Sequence, residues 1–592
     1  MSYGQNNKVI ARWCNALYET IDKPTKIGVA AYHFSGISRV DFIFNGITSQ
    51  VSKRTEHDGI KAYWFEVGKI PDAESNELVA IVYPKHGQPF ELKGDPNEYP
   101  VIEEAPTTPP EARTASHKWG PWEEEGKSSY MFASNFNGTL RTPVFYVSVD
   151  GNDVNPGTKT APKASIFACI KAARDAQGNV DGTTVYLGEG DHLLGTYSFV
   201  GNPAIRNQFR PVVVAKDPEI ENTPRVIGTN STGLRINKVK IKDCLVQTAE
   251  PNLSNKYAPI ISTGNPVVSS AGDSFITFES CHLDQHDMNL KGMDWTNGYK
   301  IVNMVNCHVT NCYNGLKVCH LARNCIVRNV HSDMMRGGIC ALNIKYQNHK
   351  VPEGSDAHPD TIQWYRNPSN TVVHRYSPLD PNDLIDAQGV FSNPEAAWGI
   401  VNVAIEEMFF RGVNGILRAL NLTQAHNVLI RNSNIGGRWA DGFAVIGSLD
   451  TGHNCLLQNV TCNTIFGDNE KPVMFQHRAA YEAAGRPTDV FEPDQFGGPF
   501  YFTTSPNDSN ARYNAEGGAK GVRYEWNWKE EEFDPTVLSQ DLGNWGTAGP
   551  DGNLNNDGKV DAQDLGDDGK VKITYYDILL DGKKVGEITL NN

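Results

Sequence analysis

Two interleaved sets of residues recur along the middle of this chain at one spacing, and that periodicity restricts the fold more than any other feature. Ser280, Asn306, Asn329, Glu407, Asn432 and Asn459 sit in equivalent places of strand-like runs such as FESCHL, MVNCHV and IRNSNI, with gaps of 26, 23, 25 and 27 residues where the runs adjoin. A second set follows a few residues later: Asn314-Gly-Leu, Gly337-Gly-Ile, Asp360-Thr-Ile, Gln388-Gly-Val, Asn414-Gly-Ile and Asp441-Gly-Phe, with gaps of 23, 23, 28, 26 and 27. One shared period means that each turn of chain lays short strands on the turn before, about 4.8 Å away, so that like residues pile up along an axis. The Asn, Gly and Ser positions are therefore read as corner residues bonded to one another. Cys281 and Cys307, with Cys244 on an earlier turn, share a column and are expected to be buried free thiols.

Length and charge bound the rest. A chain of 592 residues has room for about four domains unless a repeat absorbs the length. Its 54 Lys and Arg against 69 Asp and Glu leave a net charge of −15, which excludes a phosphate-binding surface as the main purpose and makes nucleic acid an unexpected partner. No run approaches 18 apolar residues, so no helical membrane span is expected. Lys8, Arg12 and Asn15 interrupt the apolar core that a secretory signal requires, and export by that route is not expected. Eleven cysteines without a paired CxxC indicate neither a disulfide framework nor a zinc site. No phosphate-binding glycine loop, nucleophile elbow or HExxH motif is present.

Five segments follow. Residues 1–100 alternate strand-like runs and turns (KIGVAAYHF; ISRVDFIFNG with Val40, Phe42 and Phe44 in period two; AYWFEVG; ELVAIVYPKHG) and read as a small β-sandwich. This pattern resembles the bacterial immunoglobulin-like (Ig-like) modules of surface proteins. Residues 101–143, rich in Pro, Thr and Glu, read as a stiff linker. Residues 144–480 open with a strand at Phe145, a loop and an amphipathic helix bearing Ile166, Phe167, Ile170 and Ala173, and then enter the repeat. That order resembles the capped end of right-handed parallel β-helix proteins of the pectate-lyase-like superfamily. Residues 481–535 read as an irregular extension, and 536–592 as a calcium loop followed by a hairpin turning at Asp581-Gly582. The fold class expected is all-β: a right-handed parallel β-helix between an Ig-like sandwich and a small C-terminal calcium-loop region.

The calcium loop places Asn553, Asn555, Asp557, Lys559 (through its carbonyl), Asp561 and Asp564 at the spacing of Ca2+ ligands, with Gly558 at the sharp bend. It resembles the dockerin loop but appears once instead of twice and begins with Asn, so a structural clip and a partner site both stay open.

A catalytic groove is expected where two excursions, 343–357 and 378–385, leave the solenoid on one side. Its floor would carry His358, Asp360 and Asp386 as catalytic residues, with Gln363, Tyr365, Gln388, Arg366 and Arg375 contacting substrate. Carboxylates on neighbouring rungs, offset by two residues, would stand roughly 8 Å apart, within the range of about 6.5–9.5 Å for an inverting glycosidase. Alternation from an inward Ile362 sends Gln363 outward, puts Trp364 in the core, and leaves Asp360 undecided at a corner. The string HPDTIQ resembles a segment of some polysaccharide-directed β-helix proteins.

These modules resemble those of bacteriophage tailspikes and tail fibres. The resemblance implies a virion-surface appendage that binds cell-surface polysaccharide, with cleavage left open, attached to other virion proteins through its N-terminal region, and homotrimeric by analogy. A free polysaccharide hydrolase or lyase and an inert surface protein are the alternatives.

Overall fold

The computed structural model describes residues 9–92 apart from short breaks, the strand Tyr130–Ser134, and the solenoid across residues 144–434 apart from the excursions between rungs, with further short strands as far as Gly586. The chain is all-β with a single helix among the described residues.

The four expected N-terminal runs become Thr25–Tyr32, Ile37–Phe44, Ile60–Val67 and Ser75–Pro84. They divide between two antiparallel sheets whose facing side chains, among them Ala11, Trp13, Val29, Val40, Phe42, Ala80 and Val82, form one core. Tyr130–Ser134, inside the segment read as linker, returns to this sandwich and pairs antiparallel with Ser75–Pro84 and parallel with Thr20–Ile21.

From Val144 to Gln476 the strands pair in parallel, each with the strand one turn ahead, in three stacks. That ladder is a parallel β-helix. At its start Ser165 Oγ accepts from the Ala168 amide at 3.1 Å, capping the helix Ile166–Gln177, which lays Ile166, Cys169 and Ile170 over the opening strands. Phe167, expected on that buried face, is 39 % exposed.

The first and second sheets meet at a one-residue corner. Asp243, Ser280, Asn306, Asn324, Asn343, Arg375, Glu407 and Asn432 occupy it on successive rungs, all with φ of 49–56°. Asn and Asp tolerate this left-handed geometry because their short polar groups bond locally. The next residue turns inward: Cys244, Cys281, Cys307 and Cys325, then Ile344, Tyr376, Met408 and Ser433, all buried. Each of the four thiols donates to the carbonyl two residues back, at 3.1–3.4 Å, and burial pushes those of Cys281 and Cys325 up to about 12, so they stay protonated. The thiol column was legible; its fourth member, Cys325, was not.

The register expected from sequence is corrected at Asn329. Successive corners at 306, 324 and 343 stand 18 and 19 residues apart, shorter than the expected period, and Asn324 takes the place given to Asn329. Asn329 belongs to a parallel ladder, donating to Asn311 at 2.8 Å and accepting from Asn348 at 3.2 Å. Asn343, expected to begin a groove wall, is a corner within the strand Cys340–His349. In the third sheet Leu316, Ile362 and Val390 fall in the expected column, but Met335 and Leu420 replace the residues of the Gly337 and Asn414 motifs. Replacing Asn324 by Val should destabilise the protein by about 2 kcal/mol, because a β-branched residue is strained at this φ and the 2.8 Å bond from Asn343 is lost. Asn324→Gly should cost less in the same denaturation experiment; equal losses would mean that conformation is not the cause.

The sandwich does not project. On its first sheet Ile10, Arg12, Cys14, Ala30, Tyr32, Ala62 and Trp64 alternate with core residues and are nonetheless buried. They cover the outward column of the first solenoid sheet, where Leu321, Cys340, Leu342, Val372 and Ala404 are equally shielded. Burial on both faces of a sheet explains these continuous apolar runs. Arg12 donates to the His320 carbonyl at 3.3 Å, Cys340 to the Trp13 carbonyl at 3.7 Å, and Arg323 to the Cys14 carbonyl at 3.2 Å and to Asp58. Gly28 lies under Trp64, where a Cβ would meet the ring at 2.5 Å.

At the C-terminus Ile578–Leu580 and Lys583–Gly586 pair antiparallel around Asp581-Gly582, the hairpin expected.

Candidate functional site

Asp360 lies on the third sheet in register with Gln388, but on the same side as the inward Ile362, and it is 0 % exposed. Its amide donates to Asp333 Oδ1 at 3.1 Å and its carbonyl accepts from Met334, while Asn314 Oδ1 accepts from the Asp333 amide at 3.3 Å. Asn314, Asp333 and Asp360 thus form a corner column inside the solenoid. A carboxylate sealed there does not meet a polymer, which corrects its assignment as an acid or base. Gln363 is half-buried opposite Phe391. Arg375 is not near either residue: it occupies the first corner, donates from Nε to Glu407 at 2.9 Å and faces Glu56 across the sandwich interface at 3.8 Å. Its assignment to substrate is corrected, because its charge is neutralised within the protein. His358, Asp386, Tyr365 and Arg366 lie outside the described residues, as do Asn553, Asn555, Asp557, Lys559, Asp561 and Asp564.

The structure concentrates polar side chains on the outer face of the second sheet instead. Val226, Val246, Leu283, Val309 and Val327 point inward, so their neighbours point outward in two columns. One column runs Arg225, Leu245, His282, His308, Ile326 and Lys345; the other runs Ile227, Gln247, Asp284, Thr310, Arg328 and Gln347.

Hydrogen bonds link the second column rung to rung. Arg225, which also pairs with Asp191, donates to Gln247 Oε1 at 3.2 Å, and Gln247 donates to Asp284 Oδ2 at 2.7 Å. Asp284 Oδ1 accepts from the Thr310 hydroxyl at 2.7 Å and from Asn311 Nδ2 at 2.6 Å. Because Thr310 gives its proton to the carboxylate, its oxygen accepts from His282 Nε2 at 2.7 Å. His308, one rung on, presents its ring edge-on 6.1 Å from that of His282. Burial, then the charges of His282 and Arg328, lower its pKa, so it is neutral at pH 7.

Arg328 follows on the next rung. Its Nε is buried and has no hydrogen-bond partner, and neither Arg328 nor the exposed Lys345 beyond it forms an ion pair among the described residues. The arrangement therefore offers two imidazoles, a fixed carboxylate and two uncompensated cations on four successive rungs. A sequence signal for it existed: the corner-Cys-His triplets Ser280-Cys281-His282 and Asn306-Cys307-His308 repeat one turn apart.

No family model matches this chain, and no curated protein does. Among solved structures it is similar to a rhamnogalacturonan lyase, at 10% identity and a TM-score of 0.27 over 64% of this chain and 95% of that one. It is also similar to a family 28 exopolygalacturonase of Yersinia enterocolitica, at 9% identity and a TM-score of 0.22 over 80% and 85% of the two chains. At these scores neither activity transfers; the β-helix stands on the strand pairing itself.

Proposed function

We propose that the chain is a glycan-binding appendage of the phage tailspike kind, which presents the outer face of the second β-helix sheet to cell-surface polysaccharide. One observation carries the reading: the outward column of the first sheet is covered by the sandwich, whereas the second sheet repeats hydrogen-bonding and cationic groups rung after rung. A ladder of like groups spaced by about 4.8 Å suits a polymer that also repeats, and multiplies weak contacts along its length. The docked sandwich stiffens the shaft, and its outer sheet is left for contact with other virion proteins.

Two measurements test this. Antibody against the chain should label the surface of purified particles, and the purified chain should retain cell-surface polysaccharide in affinity electrophoresis. Particles that lack the chain would end the virion assignment, and a chain retarded by no polysaccharide would end the glycan reading. Release of reducing ends or of unsaturated product during the same incubation would add catalysis, for which the Asp284–Thr310–His282 relay supplies an oriented base.

A further inference from the structure

Ile47–Val51 forms an edge of the outer sandwich sheet, and among the described residues it pairs only with Ile37–Phe44. The turn joining them, Asn45-Gly46, has φ values of 49° and 79°, which mark a two-residue hairpin loop. Such a loop makes Phe44 and Ile47 a hydrogen-bonded pair, so Ser49 opposite Phe42 and Val51 opposite Val40 are hydrogen-bonded pairs too. The backbone N–H and C=O groups of Thr48 and Gln50 therefore point the other way, off the edge of the sheet. Natural sheets blunt such an edge with charge, proline or a covering segment. The edge of the companion sheet obeys this rule: Thr55–His57 carries Glu56, which faces Arg375 of the solenoid at 3.8 Å. Ile47–Val51 has neither charge nor proline.

The side chains of this edge narrow what covers it. Ile47, Ser49 and Val51 share the face that continues the sandwich core. Val51 packs against that core, whereas Ile47, beside the partly buried Phe44, is 72 % exposed.

We propose that this edge pairs antiparallel with the same edge of a second copy of the chain, about a two-fold axis through Ser49. In that register Thr48 exchanges both backbone hydrogen bonds with Gln50 of the second copy, and Gln50 does so with its Thr48, which satisfies every outward group of both strands. Ile47 lies opposite Val51 of the second copy, closing the open end of both cores, and Ser49 meets its own counterpart. An axis through Thr48 would set Ile47 against Ser49, and one through Gln50 would set it against Lys53, so the apolar match selects Ser49. The paired residues carry no charge, so two chains of net charge −15 meet without repulsion at the contact itself. Five residues from each copy are fewer than the roughly 20 a side of a standard interface, so the dimer should form reversibly in the micromolar range. The pairing does not depend on the glycan reading, but it would present two solenoids to one surface and multiply weak contacts there.

Sedimentation equilibrium of the full chain from about 1 to 100 μM tests the pairing, and a monomer–dimer equilibrium is expected. Thr48→Pro removes an N–H that no bond inside the sandwich uses. It should weaken dimerisation about tenfold or more, since each dimer loses two hydrogen bonds, at an unchanged melting temperature. Ser49→Lys and Ser49→Asp should each weaken it about tenfold, because the axis sets like charges face to face, and an equimolar mixture of the two should dimerise again. A chain monomeric throughout this range would overturn the proposal. So would an oligomer indifferent to Thr48→Pro and to both Ser49 variants, or a mixture of the charged variants that stays monomeric.

Discussion

Glu406→Ala is expected to destabilise the docked sandwich and solenoid by about 3–5 kcal/mol, the usual cost of leaving a buried charge without its partner. Glu406 points outward from the first solenoid sheet, yet its side chain is only 2 % exposed because the sandwich covers it. Arg54 of the sandwich reaches it at 3.0 and 2.5 Å, Arg431 of the next rung at 3.1 Å, and the Tyr32 hydroxyl donates to it at 2.9 Å. Burial pushes this carboxyl's pKa up, but Arg54 and Arg431 outweigh it and hold the group far below the ordinary carboxylate range. The pair therefore stays ionised through any ordinary pH, and acid does not release the sandwich through this contact. Alanine would leave two half-buried guanidinium groups without their carboxylate. Trp64 lies at that interface under Arg323, so its fluorescence during urea unfolding reports the loss. A loss below 1 kcal/mol would mean that water reaches the arginines and the interface is looser than described. Replacing Glu406, Arg54 and Arg431 together by apolar residues of similar volume should recover much of the loss, since the penalty comes from the orphaned charges.

Acid should weaken the solenoid at a different place, His349. This residue is buried among Ser332, whose carbonyl accepts its Nε2 proton, and His331, while its Nδ1 has no partner. Burial, offset in part by the Ser332 bond and reinforced by His331, lowers its pKa to about 4 from an ordinary 6.5. Between pH 6.5 and 4 the unfolded chain binds a proton at this position that the folded chain refuses, so stability is complete above pH 6.5 and declines as pH falls toward 4. The full difference is about 3 kcal/mol, from 1.36 kcal/mol for each pKa unit. His349→Gln keeps a donor for Ser332 and removes the titration, so its stability should change far less between pH 7 and pH 4 than that of the wild type. If both proteins lose stability in parallel across that interval, the acid sensitivity lies elsewhere.

The sequence was most readable where one residue type is forced by backbone geometry. Corner asparagines and the cysteines behind them announced the solenoid because left-handed φ and a small inward side chain are needed once per turn. The same signal misled at Asn329, since two corner columns both use asparagine and the rungs there shorten to 18 and 19 residues. The candidate site was less readable. Asp360 looked like an acid because the sequence pairs it with Asp386 on the neighbouring rung at a glycosidase-like spacing, but its parity with Ile362 turns it into the core. His282 and His308 were passed over in favour of the cysteines preceding them, although exposure was due to these histidines by simple alternation.

The sequence by itself determined the coiled parallel sheet, its helical cap, the thiol column and the separate sandwich, because each follows from local periodicity or a local conformational demand. Only the tertiary structure decided which outer face of the solenoid the sandwich covers. Leu342 and Val372 read as ordinary buried strand residues, and nothing in their spacing says that a distant sheet, rather than the solenoid interior, removes them from water. Contacts such as Tyr32 to Glu406 join residues 374 positions apart, and their existence depends on two independently folded surfaces matching in shape and charge.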